Sequence, residues 1–109
     1  MAAAVDGVLT GARDRATVAL AVRGLADRLA AVAPGRTVEV RVPPYAAAQA
    51  VGGTTHKRGT PPAVVELDGP TWVALGLGDL AWPEAERTGR LRASGERSDL
   101  SPFLPLLRD

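Results

Sequence analysis

The sequence predicts a mixed α/β domain of the α+β kind, a small and mostly antiparallel sheet with helices covering one face. Three observations predict it. Between Asp14 and Ala33 the apolar residues Val18, Val22, Leu25, Leu29 and Val32 recur in steps of four, three, four and three, which places them on one helical face. Thr37-Val38-Glu39-Val40-Arg41-Val42 alternates strictly, the mark of a half-buried strand. Beyond it, strand-like runs are interrupted by glycine and proline and by helical segments of only a few residues.

In chain order, residues 1–12 read as a loose lead-in and residues 13–109 as one domain. The first helix has Arg15, Arg23, Asp27 and Arg28 for its outer faces, and the Arg23–Asp27 spacing of four adds a small charge-pair gain. Pro34-Gly35 ends it. After the valine strand come Pro43-Pro44 and the segment from Tyr45 to Val51. Its alanines favour helix, but it is too short for a stable helix on its own, so a strand is expected. Residues 53–62 read as a loop. Ala63-Val64-Val65-Glu66-Leu67 is a third strand, and Asp68-Gly69-Pro70-Thr71 opens a short helix that carries Trp72, Val73 and Leu75. A second short helix holds Trp82 to Arg87, with Glu84 and Glu86 in its first turn and Gly89 as its stop. Arg90 to Ser94 is a fourth strand. Ser98 or Asp99 caps a last apolar segment, in which Pro102 and Pro105 exclude a long regular helix.

Composition excludes several functions. Thirteen basic residues against 12 acidic ones, scattered and interleaved, give a net charge of +1 and no like-charge block. A nucleic-acid partner and a polybasic membrane anchor are therefore not expected. No run of apolar residues is long enough for stable membrane insertion, and the first residues carry no signal-peptide pattern. A cytoplasmic location is the expectation. With no cysteine there are no disulfides, thiolate metal sites or cysteine nucleophiles. Apolar residues make up 46 % of the chain but aromatic ones only 4 %, so the core is built from aliphatic side chains and alanine. The richness in alanine, arginine, glycine and valine beside a single lysine resembles bacterial coding bias.

Residues 71–95 carry a more specific pattern: Gly78-Asp79-Leu80, Ala85, Gly89-Arg90-Leu91 and Gly95. Glycines end both short helices, Leu80 and Leu91 point inward, and Arg90 points out. This pattern resembles the sterol-carrier (non-specific lipid-transfer) family. Upstream, Glu39-Val40-Arg41-Val42-Pro43-Pro44-Tyr45, His56-Lys57-Arg58-Gly59-Thr60-Pro61-Pro62 and Val64-Val65-Glu66 resemble its small bacterial branch, so the likeness covers residues 13–107. It implies a sheet covered by helices, with an apolar tunnel or groove that takes up a sterol, a fatty acyl chain or a similar lipid. The segment from Glu96 to Pro102 departs from the family's proline-free apolar run, and the chain is short, which favours a small tunnel.

Two candidate sites follow. Trp72, Leu75, Phe103, Leu104 and Leu107 could line an apolar ligand pocket, although for any one of them ordinary core is the better reading. His56 and Arg58, with Lys57 between them, form the compact cationic cluster of a loop, either a solvated turn or a holder of a polar head group. One histidine excludes a histidine-rich metal site, and with only remote carboxylates beside it no metal or cofactor is expected. No serine sits on a Gly-x-Ser-x-Gly elbow, and the pair Glu66 and Asp68 reads as a strand end and helix cap, so an enzyme is not expected. The functional expectation is non-enzymatic carriage of an apolar small molecule or lipid. The alternative is a ligand-free interaction or dimerisation module, a homodimer or an enzyme's accessory, with the same fold.

Overall fold

The computed structural model of the chain describes residues 4, 7, 14–52, 63–95 and 98–107. Helix α1 (Arg15–Val32) leads into β1 (Val38–Val42) and β2 (Ala46–Ala50). Strand β3 (Ala63–Leu67) is followed by α2 (Gly69–Leu77), α3 (Trp82–Arg87), β4 (Leu91–Ser94) and a 3-10 turn at Ser101–Phe103. The expected loop 53–62, and with it His56, Lys57 and Arg58, lies outside the described residues.

Each start has a local cause. Asp14 caps α1, accepting from the Thr17 N–H at 3.0 Å and the Thr17 hydroxyl at 2.7 Å. Those bonds, the hydroxyl's first, hold its carboxyl below the usual range. Asp68 does the same for α2 through the Thr71 N–H at 2.8 Å, with Pro70 in the first turn. Gly78 ends α2 in the left-handed region at φ 85°, where a side chain is disfavoured. In α3 only Glu84 of the two expected acids lies in the first turn; Glu86 comes one turn too late, and Arg87 pairs with Glu84 at 2.7 Å.

The four strands form one sheet in the order β2-β1-β3-β4. The two outer pairings are antiparallel, and the central pair β1/β3 is parallel, with Val40 beside Val65. The sheet is thus mostly, but not wholly, antiparallel. After β2 has filled the edge, the chain passes β1 to add β3 on its other side, a step that side-chain periodicity does not encode.

Alternation selects the faces. Val38, Val40 and Val42 of β1 and Ala63, Val65 and Leu67 of β3 are buried on the helix-covered side. Arg41, Glu66 and Arg92 stand in one cross-strand row on the open side, where Arg41 also meets Glu39 at 2.9 Å. That bond lowers the pKa of Glu39 and raises that of Arg41.

On the covered side the core joins Val18, Val22, Leu25 and Leu29 of α1 to Trp72, Val73 and Leu75 of α2 and to Leu100 beyond β4. Ala4 of the lead-in is buried there too. Trp82 is only 5 % exposed and seals α3 against this core, and Leu91 is buried while Arg90 is exposed. Two expectations for α1 change. Arg23 donates to the Tyr45 carbonyl at 3.1 Å instead of pairing with Asp27, tying α1 to the start of β2. Val32, in phase with the buried row, is 51 % exposed, and the buried row passes from Leu29 to Ala33 instead.

The end of α1 is clasped to β2. Val51 donates to the Ala33 carbonyl at 2.6 Å and accepts from Thr37 at 3.0 Å. A Cβ on Gly35 would overlap the Val51 carbonyl, so the turn between α1 and β1 needs glycine. Val51 itself has φ 68°, a strained value for a β-branched residue.

Candidate functional site

The C-terminal segment is fastened by α2. The Gly76 carbonyl, near the end of that helix, accepts from Leu106 at 2.8 Å and from Leu107 at 3.1 Å. The 3-10 turn at Ser101–Phe103 starts with Asp99 accepting from the Ser101 N–H at 2.9 Å. Leu100 and Leu106 are buried on either side of it. With both ends held, the segment lies beside the last turns of α1.

An open groove of about 300 Å³ results, lined by Arg28, Val32, Pro102, Phe103, Pro105 and Leu106. Such a volume is at the lower end of small-molecule sites, about 300–1,000 Å³. Among the described residues its lining is apolar except for Arg28. The two prolines give it stiff walls without backbone N–H groups to satisfy. The exposed Val32 is part of this wall.

A second groove of about 300 Å³ lies at one end of the sheet, lined by Pro43, Glu66, Leu67, Asp68, Gly89, Arg90, Leu91 and Arg92. Four of these side chains are charged, and covering them with an apolar molecule would cost their hydration. Asp68 is occupied as the cap of α2. The chemistry of the first groove suits an apolar ligand; that of the second does not.

The five pocket residues expected from sequence occupy two environments. Trp72 and Leu75, 0 % and 1 % exposed, are closed in the core and line neither groove. The Trp72 indole N–H is used internally, donating to the Val22 carbonyl at 3.2 Å. Phe103 lines the apolar groove, and Leu104 and Leu107 are half-buried against the core beside it. Sequence reasoning missed Arg28, Val32, Pro102, Pro105 and Leu106 as lining. The available signal was Val32, an apolar residue in the last helical turn before Pro34-Gly35. Among the described residues no group of three His, Asp or Glu side chains is placed to hold a metal ion.

One family model matches the chain over most of its length. The model of that family, described as bacterial SCP ortholog, matches residues 14–106. The chain belongs to this family, the small bacterial branch of the sterol carriers. No curated protein matches it. The sterol carriers are in general carriers of lipids rather than catalysts, and in this member no helix among the described residues is long and apolar enough to cross a membrane.

Proposed function

We propose that this sterol-carrier domain, one unit over residues 13–109, binds and carries an apolar ligand, a fatty acyl chain or another lipid, without catalysing a reaction. The observation that carries the reading is the apolar groove of Val32, Pro102, Phe103, Pro105 and Leu106. It is formed by the end of α1 and the C-terminal segment, rather than between sheet and helices. Each methylene moved from water into it contributes about 0.8 kcal/mol when fully covered and less where the groove is open. The reading includes a cytoplasmic location and no nucleic-acid partner.

Gly52 and Ala63, which flank residues 53–62, stand beside the clasp of Ala33, Thr37 and Val51 at the end of α1. His56 and Arg58, expected from sequence to hold a polar head group, fall within those residues and are a second candidate for that role.

Native mass spectrometry of freshly purified protein, followed by organic extraction, tests the proposal. The expected result is a stoichiometric adduct that extracts as a lipid and disappears in Val32→Glu, which places an acid in the groove at an exposed position. An unshifted mass that stays unshifted with added fatty acids contradicts it. The second reading, an interaction or dimerisation module, draws on Leu20, which is 56 % exposed on α1 outside the groove. Dimer peaks in the same spectra, lost in Leu20→Glu, would favour that reading.

A further inference from the structure

We propose that Arg28 makes the apolar groove selective for single-chain amphiphiles with a carboxylate head, an inference that rests on the carrier reading. Among the described residues, Arg28 is the one charged residue lining the groove. The described ion pairs are Arg41–Glu39 and Arg87–Glu84, so the Arg28 guanidinium is not neutralised by a protein carboxylate among the described residues. It is exposed, on the turn of α1 preceding Val32.

Those facts fix the chemistry of the occupant. The methylene stem of an arginine packs along apolar surface while its head stays in water. Its planar fork matches the two oxygens of a carboxylate and binds them bidentately, which an ammonium does not. A ligand with an apolar tail against Val32, Phe103 and Leu106 therefore presents its head at a rim carrying one unopposed positive charge. A neutral head gains little there, and a cationic head is repelled. Leaving the head at the solvent edge also avoids the cost of burying a charge.

The test compares decanoate with decan-1-ol at pH 8 by isothermal titration calorimetry, in wild type, Arg28→Gln, Arg28→Lys and Arg58→Ala. Thermal melts confirm that each variant is folded. The expected result is that wild type prefers decanoate. Arg28→Gln loses roughly tenfold or more in decanoate affinity, with decanol unchanged within about twofold, and Arg28→Lys recovers part of the loss. Wild type that binds both compounds equally, with Arg28→Gln altering neither, overturns the assignment and leaves the carrier reading standing. A decanoate loss confined to Arg58→Ala overturns it as well and assigns the head group to Arg58. If wild type binds neither compound, or the groove is covered by a second copy in a dimer that Val32→Glu separates, both the assignment and the carrier reading fail.

Discussion

The indole N–H of Trp72 donates to the carbonyl of Val22 at 3.2 Å, joining the middle of α2 to the middle of α1 across 50 residues of sequence. Both partners are 0 % exposed, so the bond is made where no water can replace it. Trp72→Phe keeps the aromatic packing but removes the donor and leaves a small void. Chemical denaturation is expected to show a loss of about 1–3 kcal/mol. Unchanged stability would mean that the bond adds nothing beyond ring burial.

Thr71 presents the opposite case. Its side chain is 1 % exposed, and its Oγ1 has no hydrogen-bond partner among the described residues. Valine has nearly the same shape, and the Thr71 backbone N–H that serves the Asp68 cap is retained. Thr71→Val is expected to stabilise the domain by about 1 kcal/mol, the desolvation cost of an unpaired hydroxyl. A lower Tm would show that the hydroxyl finds a partner in solution.

Gly76 sets helix propensity against packing. Alanine gains about 1 kcal/mol over glycine inside a helix. Here its Cβ would stand 2.9 Å and 3.0 Å from the two methyls of Leu25, which is wholly buried and has little room to yield. Overpacking costs about 1–3 kcal/mol, so Gly76→Ala is expected to destabilise despite its better propensity. A rise in Tm would show that Leu25 can repack.

Acid should weaken the fold through exposed carboxylates. The Thr17 bonds depress the pKa of Asp14, and the Arg41 bond depresses that of Glu39. A depressed carboxyl stabilises the folded state above its unfolded pKa, about 3.9 for Asp and 4.3 for Glu, and that contribution is lost as pH falls through the lower folded value. Thermal melts should be level from pH 7 to pH 5 and fall below about pH 4. The acid-side slope should be smaller in Asp14→Asn, which keeps a capping side chain without the charge. An unchanged slope would exclude the Asp14 contribution.

The elements were legible where one periodicity governed them. The step of Val18, Val22, Leu25 and Leu29 specified α1, and the alternation of Val38, Val40 and Val42 specified β1 and its buried face. Asp68-Gly69-Pro70 marked the start of α2 through cap chemistry alone. Strand order was not legible, because the parallel pairing of Val40 with Val65 leaves the same alternation as an antiparallel one. The groove was legible only at Phe103. Its other wall, Arg28 and Val32, comes from about seventy residues earlier, and the two meet because Gly76 holds Leu106 and Leu107 at the end of α2. Trp72 and Leu75 are apolar enough for either a pocket or a core, and only the packing of α2 against Val22 and Leu25 decides for the core.

The most direct test of the carrier reading is amide-shift mapping by NMR of the 15N-labelled protein titrated with decanoate. The account predicts saturable shifts at Arg28, Val32, Phe103 and Leu106, with Trp72 and Leu75 scarcely moved. Shifts confined to Glu66, Arg90 and Arg92, or no shifts at millimolar decanoate, would contradict it.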